Sequence, residues 1–178
     1  MPTTIFFSWQ ADRSTTEGRN LVERALERAV VRIGQDASIE EPIRDVALDK
    51  DTKGVPGSPP IVDTIFKKID RAAVFVPDLT FVGTRVDGRL TPNPNVLIEY
   101  GWALKALGHH RIVPVMNVAH GQPNAESMPF DMQHLRYPAL LYNCPDGAAE
   151  DQRKAAREEL GKRLEKELRK VLESEEYR

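Results

Sequence analysis

Thr4-Ile5-Phe6-Phe7-Ser8-Trp9 opens the chain with an apolar, aromatic run that breaks into polar Gln10-Ala11-Asp12. A run so short and so aromatic, closed by a polar loop, predicts a buried strand. The segment after that loop decides the topology. From Thr16 onward, Leu21, Ala25, Leu26, Ala29, Val30 and Ile33 recur at helical spacing with charges between them, until Gly34 ends the pattern. The same alternation then repeats. Ile43 to Leu48 predicts a second strand, running into the Gly- and Pro-rich loop Asp49 to Pro60. Ser58 or Pro59 opens a helix with Ile61, Ile65 and Ile69 along one face, and Ala72 to Val76 is a third strand.

Phe81 to Pro92, punctuated by Gly83, Gly88 and Pro92, predicts an exposed loop. Asn93-Pro94 then starts a helix that runs through Leu107 to Gly108. Arg111 to Met116 and Tyr137 to Tyr142 complete the strands. From Asp151 to about Glu173 a charged helix carries Leu160, Leu164, Leu168 and Leu172 in line. Strand and helix alternating in this way mean parallel strands joined by right-handed crossovers, with helices on both faces. The predicted fold is therefore α/β: a flavodoxin-like doubly wound sheet of about five parallel strands with a long C-terminal helix. Residues 1–145 are expected to form the α/β unit, and residues 146–178 the charged amphipathic helix packed on it. That leucine stripe has a second reading, pairing with another subunit.

The 178 residues suit one compact domain, and 40% hydrophobic with 29% charged residues excludes disordered and membrane-spanning classes. Lysines and arginines number 25 against 27 acids, so the totals point to neither nucleic acid nor an anionic membrane as partner. A single cysteine, Cys144, forms no internal disulfide and supplies no cysteine cage. With no basic and apolar leader at the N-terminus, the expected location is the cytoplasm. His109, His110, His120 and His134 show no metal-ligand spacing, so no metal is expected.

In a doubly wound sheet, ligands bind beyond the carboxyl ends of the strands, near the point where strand order reverses. No Gly-x-Gly-x-x-Gly, Walker lysine loop, His-Glu-x-x-His or Gly-x-Ser-x-Gly elbow occurs at those ends. The informative segment is Asn93-Pro-Asn-Val-Leu-Ile-Glu-Tyr-Gly-Trp-Ala, which sets Glu99 in an otherwise apolar helix, on one face with Asn95 and Trp102. Such a carboxylate could steady or attack a developing cationic sugar carbon, or it could simply pair with a lysine or arginine. Gly101 within that helix suggests a close approach to the sheet.

At the second strand end, Asp49, Lys50 and Asp51 with Gly54 offer carboxylates for ribose hydroxyls and a cation for phosphate, or else only a solvated loop tip. Ser8, Trp9 and Asp12 offer a hydroxyl and a stacking surface at the first, although Trp9 suits the core equally well. Asp78 follows the third strand, where a ligand-facing carboxylate or an ordinary turn residue would sit.

Phe6-Phe7-Ser8-Trp9-Gln10 resembles the first-strand signature of Toll/interleukin-1 receptor (TIR) domains, with Gln10 where that signature carries arginine. Asp-Lys-Asp-Thr-Lys-Gly-Val-Pro-Gly-Ser-Pro together with Pro-Asn-Val-Leu-Ile-Glu-Tyr-Gly-Trp-Ala is similar to bacterial TIR-like, nucleotide-binding proteins, several groups of which are linked to antiphage defence. The likeness spans about residues 4 to 143. It implies cleavage of the nicotinamide–ribose bond of NAD, to nicotinamide and ADP-ribose or a cyclic product, with NAD as substrate and no separate cofactor. It also implies self-association through TIR-like surfaces. By the resemblance, Glu99 is catalytic, Ser8 and Trp9 line the nucleotide site, and Lys50 to Gly57 gate it. Asn95 stands where some active members carry tryptophan. Two other readings remain open: a nucleoside deoxyribosyltransferase-like enzyme, and a non-catalytic module that binds a nucleotide or a partner TIR surface.

Overall fold

The computed structural model describes residues 3–50, 60–129, 132 and 139–174. Its centre is β1 (Thr3–Ser8), which pairs in parallel with β2 (Val46–Asp49) and β3 (Val74–Pro77), Ile5 lying opposite both Leu48 and Val74. Parallel bridges from Phe75 to Ile112 and from Asp78 to Val115 attach the next stretch to β3. There β6 (Val115–Asn117) pairs in parallel with β7 (Leu140–Tyr142). The order β2-β1-β3-β6-β7 is that of a flavodoxin-like doubly wound sheet, and it reverses between β1 and β3.

Side-chain alternation along β1 separates two cores. Ile5 and Phe7 pack with α1 (Arg19–Gln35) and α5 (Glu150–Leu172), whereas Phe6 packs with α3 (Ile61–Arg71) and α4 (Pro94–Leu107). Phe6 stacks on Phe75 of β3, the ring centroids 6.2 Å apart.

Three elements differ from the reading of the sequence. The segment read as an exposed loop is an antiparallel hairpin of β4 (Phe81–Thr84) and β5 (Leu90–Pro92), with Phe81 fully buried. Its turn closes at Gly88, where φ is +80° and the amide donates to Arg85 O at 2.9 Å. Asp87-Gly88 is a hairpin signal, with Gly88 marking the turn, whereas Gly83 lies within β4 at its register shift against β5. The second strand begins only at Val46, because Glu41–Arg44 form a single helical turn, α2. The fourth begins at Val115: Pro114 has no N–H to give a ladder, and Arg111 sits in a 3-10 turn, its guanidinium donating to Ala73 O at 2.8 Å.

Leu160, Leu164, Leu168 and Leu172 of α5 are all buried in the core shared with α1. The stripe is thus occupied within the chain. Gly161 lets the two helices close: a Cβ there would stand 3.4 Å from Ala25 O. By contrast, Gly101 of α4 is exposed, and a Cβ there would meet nothing within 4 Å, so no close approach to the sheet explains it. Leu164→Ala leaves a cavity in the α1/α5 core and should cost about 2–5 kcal/mol, read as a lower urea midpoint at unchanged slope. Among the described residues no helix is long and apolar enough to cross a membrane.

Candidate functional site

The geometry of the site starts from the parity of β1. Ser8, last residue of the strand, projects to the same side as Phe6, toward α3 and α4. On that side α4 starts at a strong cap: Asn93 Oδ1 accepts from the amides of Asn95 at 2.8 Å and Val96 at 3.2 Å, with Pro94 in the first turn. The cap fixes the first two turns of α4 against the end of β1. Ser8 Oγ donates to Glu99 Oε2 at 2.6 Å. This contact joins residues 91 positions apart across the point where strand order reverses.

A cavity of about 500 Å³ opens there, within the size range of small-molecule sites. Ser8, Trp9, Asp12, Lys50, Asn95 and Glu99 line it, as do Phe6, Gln10, Asn93, Ile61 and Ile65. Trp9 is half-buried, one ring face covered by the Arg19 guanidinium 3.5 Å from the ring centroid, and its Nε1 donates to Lys50 O at 2.7 Å. Asp12 accepts from Asn93 Nδ2 at 2.6 Å, tying the loop after β1 to the head of α4.

Gln10 stands out in the sequence only as a departure from the TIR signature, and its structural task is not legible there. It is buried, its Oε1 accepting from the amides of Asp12 at 2.7 Å and Arg13 at 3.0 Å while its Nε2 donates to Asp78 Oδ2 at 3.2 Å. One side chain thus shapes the whole loop after β1. Asn93 is legible only as the start of a helix; the Asn-Pro pair is its signal.

Several candidates stand elsewhere. Asp78 does not face the cavity: fully buried, it accepts from Gln10 and from Thr80 N at 3.0 Å, a turn residue supporting the loop from beneath. Burial pushes its carboxyl above the usual range, against the hydrogen bonds from Thr80 and Gln10. Trp102 stacks on Phe66 at 4.4 Å and donates to Asp70 Oδ1 at 2.7 Å, because three residues of helical rise, about 4.5 Å, carry it away from the strand ends. Asp49 is paired with Lys68 of α3 at 2.9 Å and lies outside the cavity lining. The Lys50 ammonium, read as a phosphate ligand, is paired with Glu23 of α1. Asp51 and Gly54, with most of the gating loop, lie outside the described residues. Among those residues, no group of three or more His, Cys, Asp and Glu could hold a metal ion.

Glu99 takes no ion pair with any described residue; the Ser8 hydroxyl is its polar partner. Burial raises its pKa and the Ser8 hydrogen bond opposes that rise. Since that bond favours the charged form, Ser8→Ala should lift the Glu99 pKa further. The acid limb of any rate that needs the carboxylate then moves to higher pH, which a pH–rate profile checks; an unmoved limb would show that Ser8 does not tune Glu99.

The fold and the cavity together define an α/β protein of flavodoxin-like topology, with a carboxylate at the switch point. No family model matches the chain, and no curated protein matches it. Among solved structures it is similar to the crystal structure of a flavodoxin-like domain from Synechococcus sp., at a TM-score of 0.44 and 12% identity over 92% of this chain and 99% of that one.

Proposed function

We propose that the protein is a TIR-like NAD glycohydrolase. The observation that carries the reading is Glu99: a partly desolvated carboxylate with no cationic partner among the described residues, held by Ser8 in a cavity that takes a small molecule. A lone carboxylate in such a place costs stability and is complementary to positive charge. When the nicotinamide–ribose bond breaks, the pyridinium nitrogen takes the bonding pair and nicotinamide leaves neutral, so the positive charge passes to the ribosyl carbon. Glu99 stabilises or traps that carbon. Water then adds and loses a proton, giving ADP-ribose; attack by the adenine ring instead gives a cyclic product.

Ser8 favours the charged form of Glu99 and orients it, Trp9 and Asn95 bound the site, and Asp12 with Asn93 holds its rim. Ile61, which lines the cavity, and Ile98, beside Glu99, are 67% and 58% exposed, which supports completion of the site by a second copy of the chain. Such an enzyme would act by consuming NAD in antiphage defence or signalling.

The test incubates the full chain at high concentration with NAD and, separately, with deoxynucleosides, resolving products chromatographically beside a Glu99→Ala control. Nicotinamide that disappears with Glu99→Ala supports the reading. Free base from deoxynucleosides alone would make it a deoxyribosyltransferase-like enzyme, and no product from either would make it a binding module.

A further inference from the structure

The seam between α1 and α5 is laced by ion pairs until it reaches the helices' N-terminal ends, where the pattern breaks. Arg28 and Arg32 pair with Glu158 at 2.6 and 2.7 Å, and Arg32 also approaches Glu165 at 3.4 Å. Further along, Arg169 joins Asp36 at 2.6 Å and Glu165 at 2.9 Å, and the Asp36 carboxyl is held down at about 2, first by hydrogen bonds from Ser38 and then by that from Arg169.

Arg24 continues the arginine row of α1 one turn toward the N-terminus. In a small cavity at this end it meets two more arginines of α5, Arg153 and Arg157, while on its other side Arg24 and Arg157 line a cleft shared with Glu27 and Glu158. Thr16 and Asn20 complete the polar lining of the small cavity, of about 190 Å³, and no carboxylate among the described residues lines it. Arg153 is partly compensated by Glu17 at 3.4 Å and by Ala148 O at 2.6 Å. Glu150 and Asp151, in the first turn of α5, are exposed and outside the lining. Arg157 Nε is buried and donates to none of the described residues. Three guanidinia whose one ion pair among the described residues is the 3.4 Å contact of Arg153 with Glu17, and one of which holds an orphaned buried donor, strain both charge pairing and polar satisfaction; such local conflicts concentrate where a ligand completes the set.

We propose that this cavity binds a phosphate-type oxyanion, with the Arg24 and Arg157 guanidinia as its principal donors and the Asn20 amide and Thr16 hydroxyl beside them. Planar guanidinium forks match tetrahedral oxyanions in pairs, and the cavity has room for one such group. The site lies on the α1/α5 face of the sheet, opposite the Glu99 cavity, and the inference is independent of what that cavity does.

Thermal unfolding of the full chain tests it, in orthophosphate, in AMP, and in chloride of matched ionic strength. With phosphate at ten times its dissociation constant the wild type should melt about 3–5 °C higher than in chloride. Arg24→Gln, at an exposed position, and Arg157→Gln should each lose most of that gain. In phosphate-free buffer both should melt no lower than wild type, because each removes a like charge. A larger gain with AMP assigns a nucleotide's phosphate, and an equal gain assigns the free ion. The proposal is overturned if phosphate does no more than chloride, if both variants keep the wild-type response, or if both melt lower without phosphate, which would make the cluster structural.

Discussion

Replacing Glu99 by glutamine should lower nicotinamide release from NAD by about 100-fold or more, the scale on which removing one preorganised electrostatic group acts. Glutamine keeps the shape and an acceptor for Ser8 Oγ, so the loss isolates the charge. Stability should move the other way. The folded pKa of Glu99 is raised by burial, so between the usual carboxylate value and that raised value the folded chain binds more protons than the unfolded chain, and stability falls as pH rises through this window. Ionising the buried group is a net cost, which Glu99→Gln removes. Thermal unfolding beside the activity assay should therefore show an unchanged or higher Tm with activity gone. Wild-type activity in Glu99→Gln would show that the carboxylate does no chemistry, and a lower Tm with lost activity would make it structural.

The second large effect is at Asp78. Asp78→Ala leaves Gln10 Nε2 and Thr80 N without the acceptor they now share, both on buried residues. Orphaned donors of this kind cost about 1–3 kcal/mol each, so a loss of about 3 kcal/mol is expected in urea unfolding. Gln10 also shapes the loop through Asp12 and Arg13, so activity should fall although Asp78 does not line the cavity. A stability within about 0.5 kcal/mol of wild type would mean that Gln10 finds another acceptor and that the loop does not depend on Asp78.

What the sequence discloses about this site is what local chemistry encodes. Asn93-Pro94 and Gly108 bracket α4 because a cap, a first-turn proline and a glycine with φ of +73° are signals within a turn of the residues they govern. Glu99 stands out as an acid among apolar residues, and the parity of β1 puts Ser8 beneath it. The misreadings are tertiary. Asp78 looks like any carboxylate after a strand until Gln10, 68 residues away, is seen to need it. Asp49 reads as a ribose ligand, yet its partner is Lys68 on the next helix. Trp102 shares an angular face with Glu99 but not its height along the axis, and height decides whether a side chain reaches the strand ends. The hairpin at Phe81–Pro92 is hidden because Gly88 serves its turn and Gly83 sits at a register shift within its first strand, so both read as loop residues.

The proposed function requires the switch-point cavity to hold NAD with its nicotinamide riboside beside Glu99. It is tested most directly by amide and indole NMR of the Glu99→Gln variant, in which the substrate persists, titrated with NAD. Saturable shifts are expected of the Trp9 indole N–H and of the amides of Ser8, Asp12, Asn95 and residue 99. Shifts confined to other parts of the fold, or none at millimolar NAD, would contradict it.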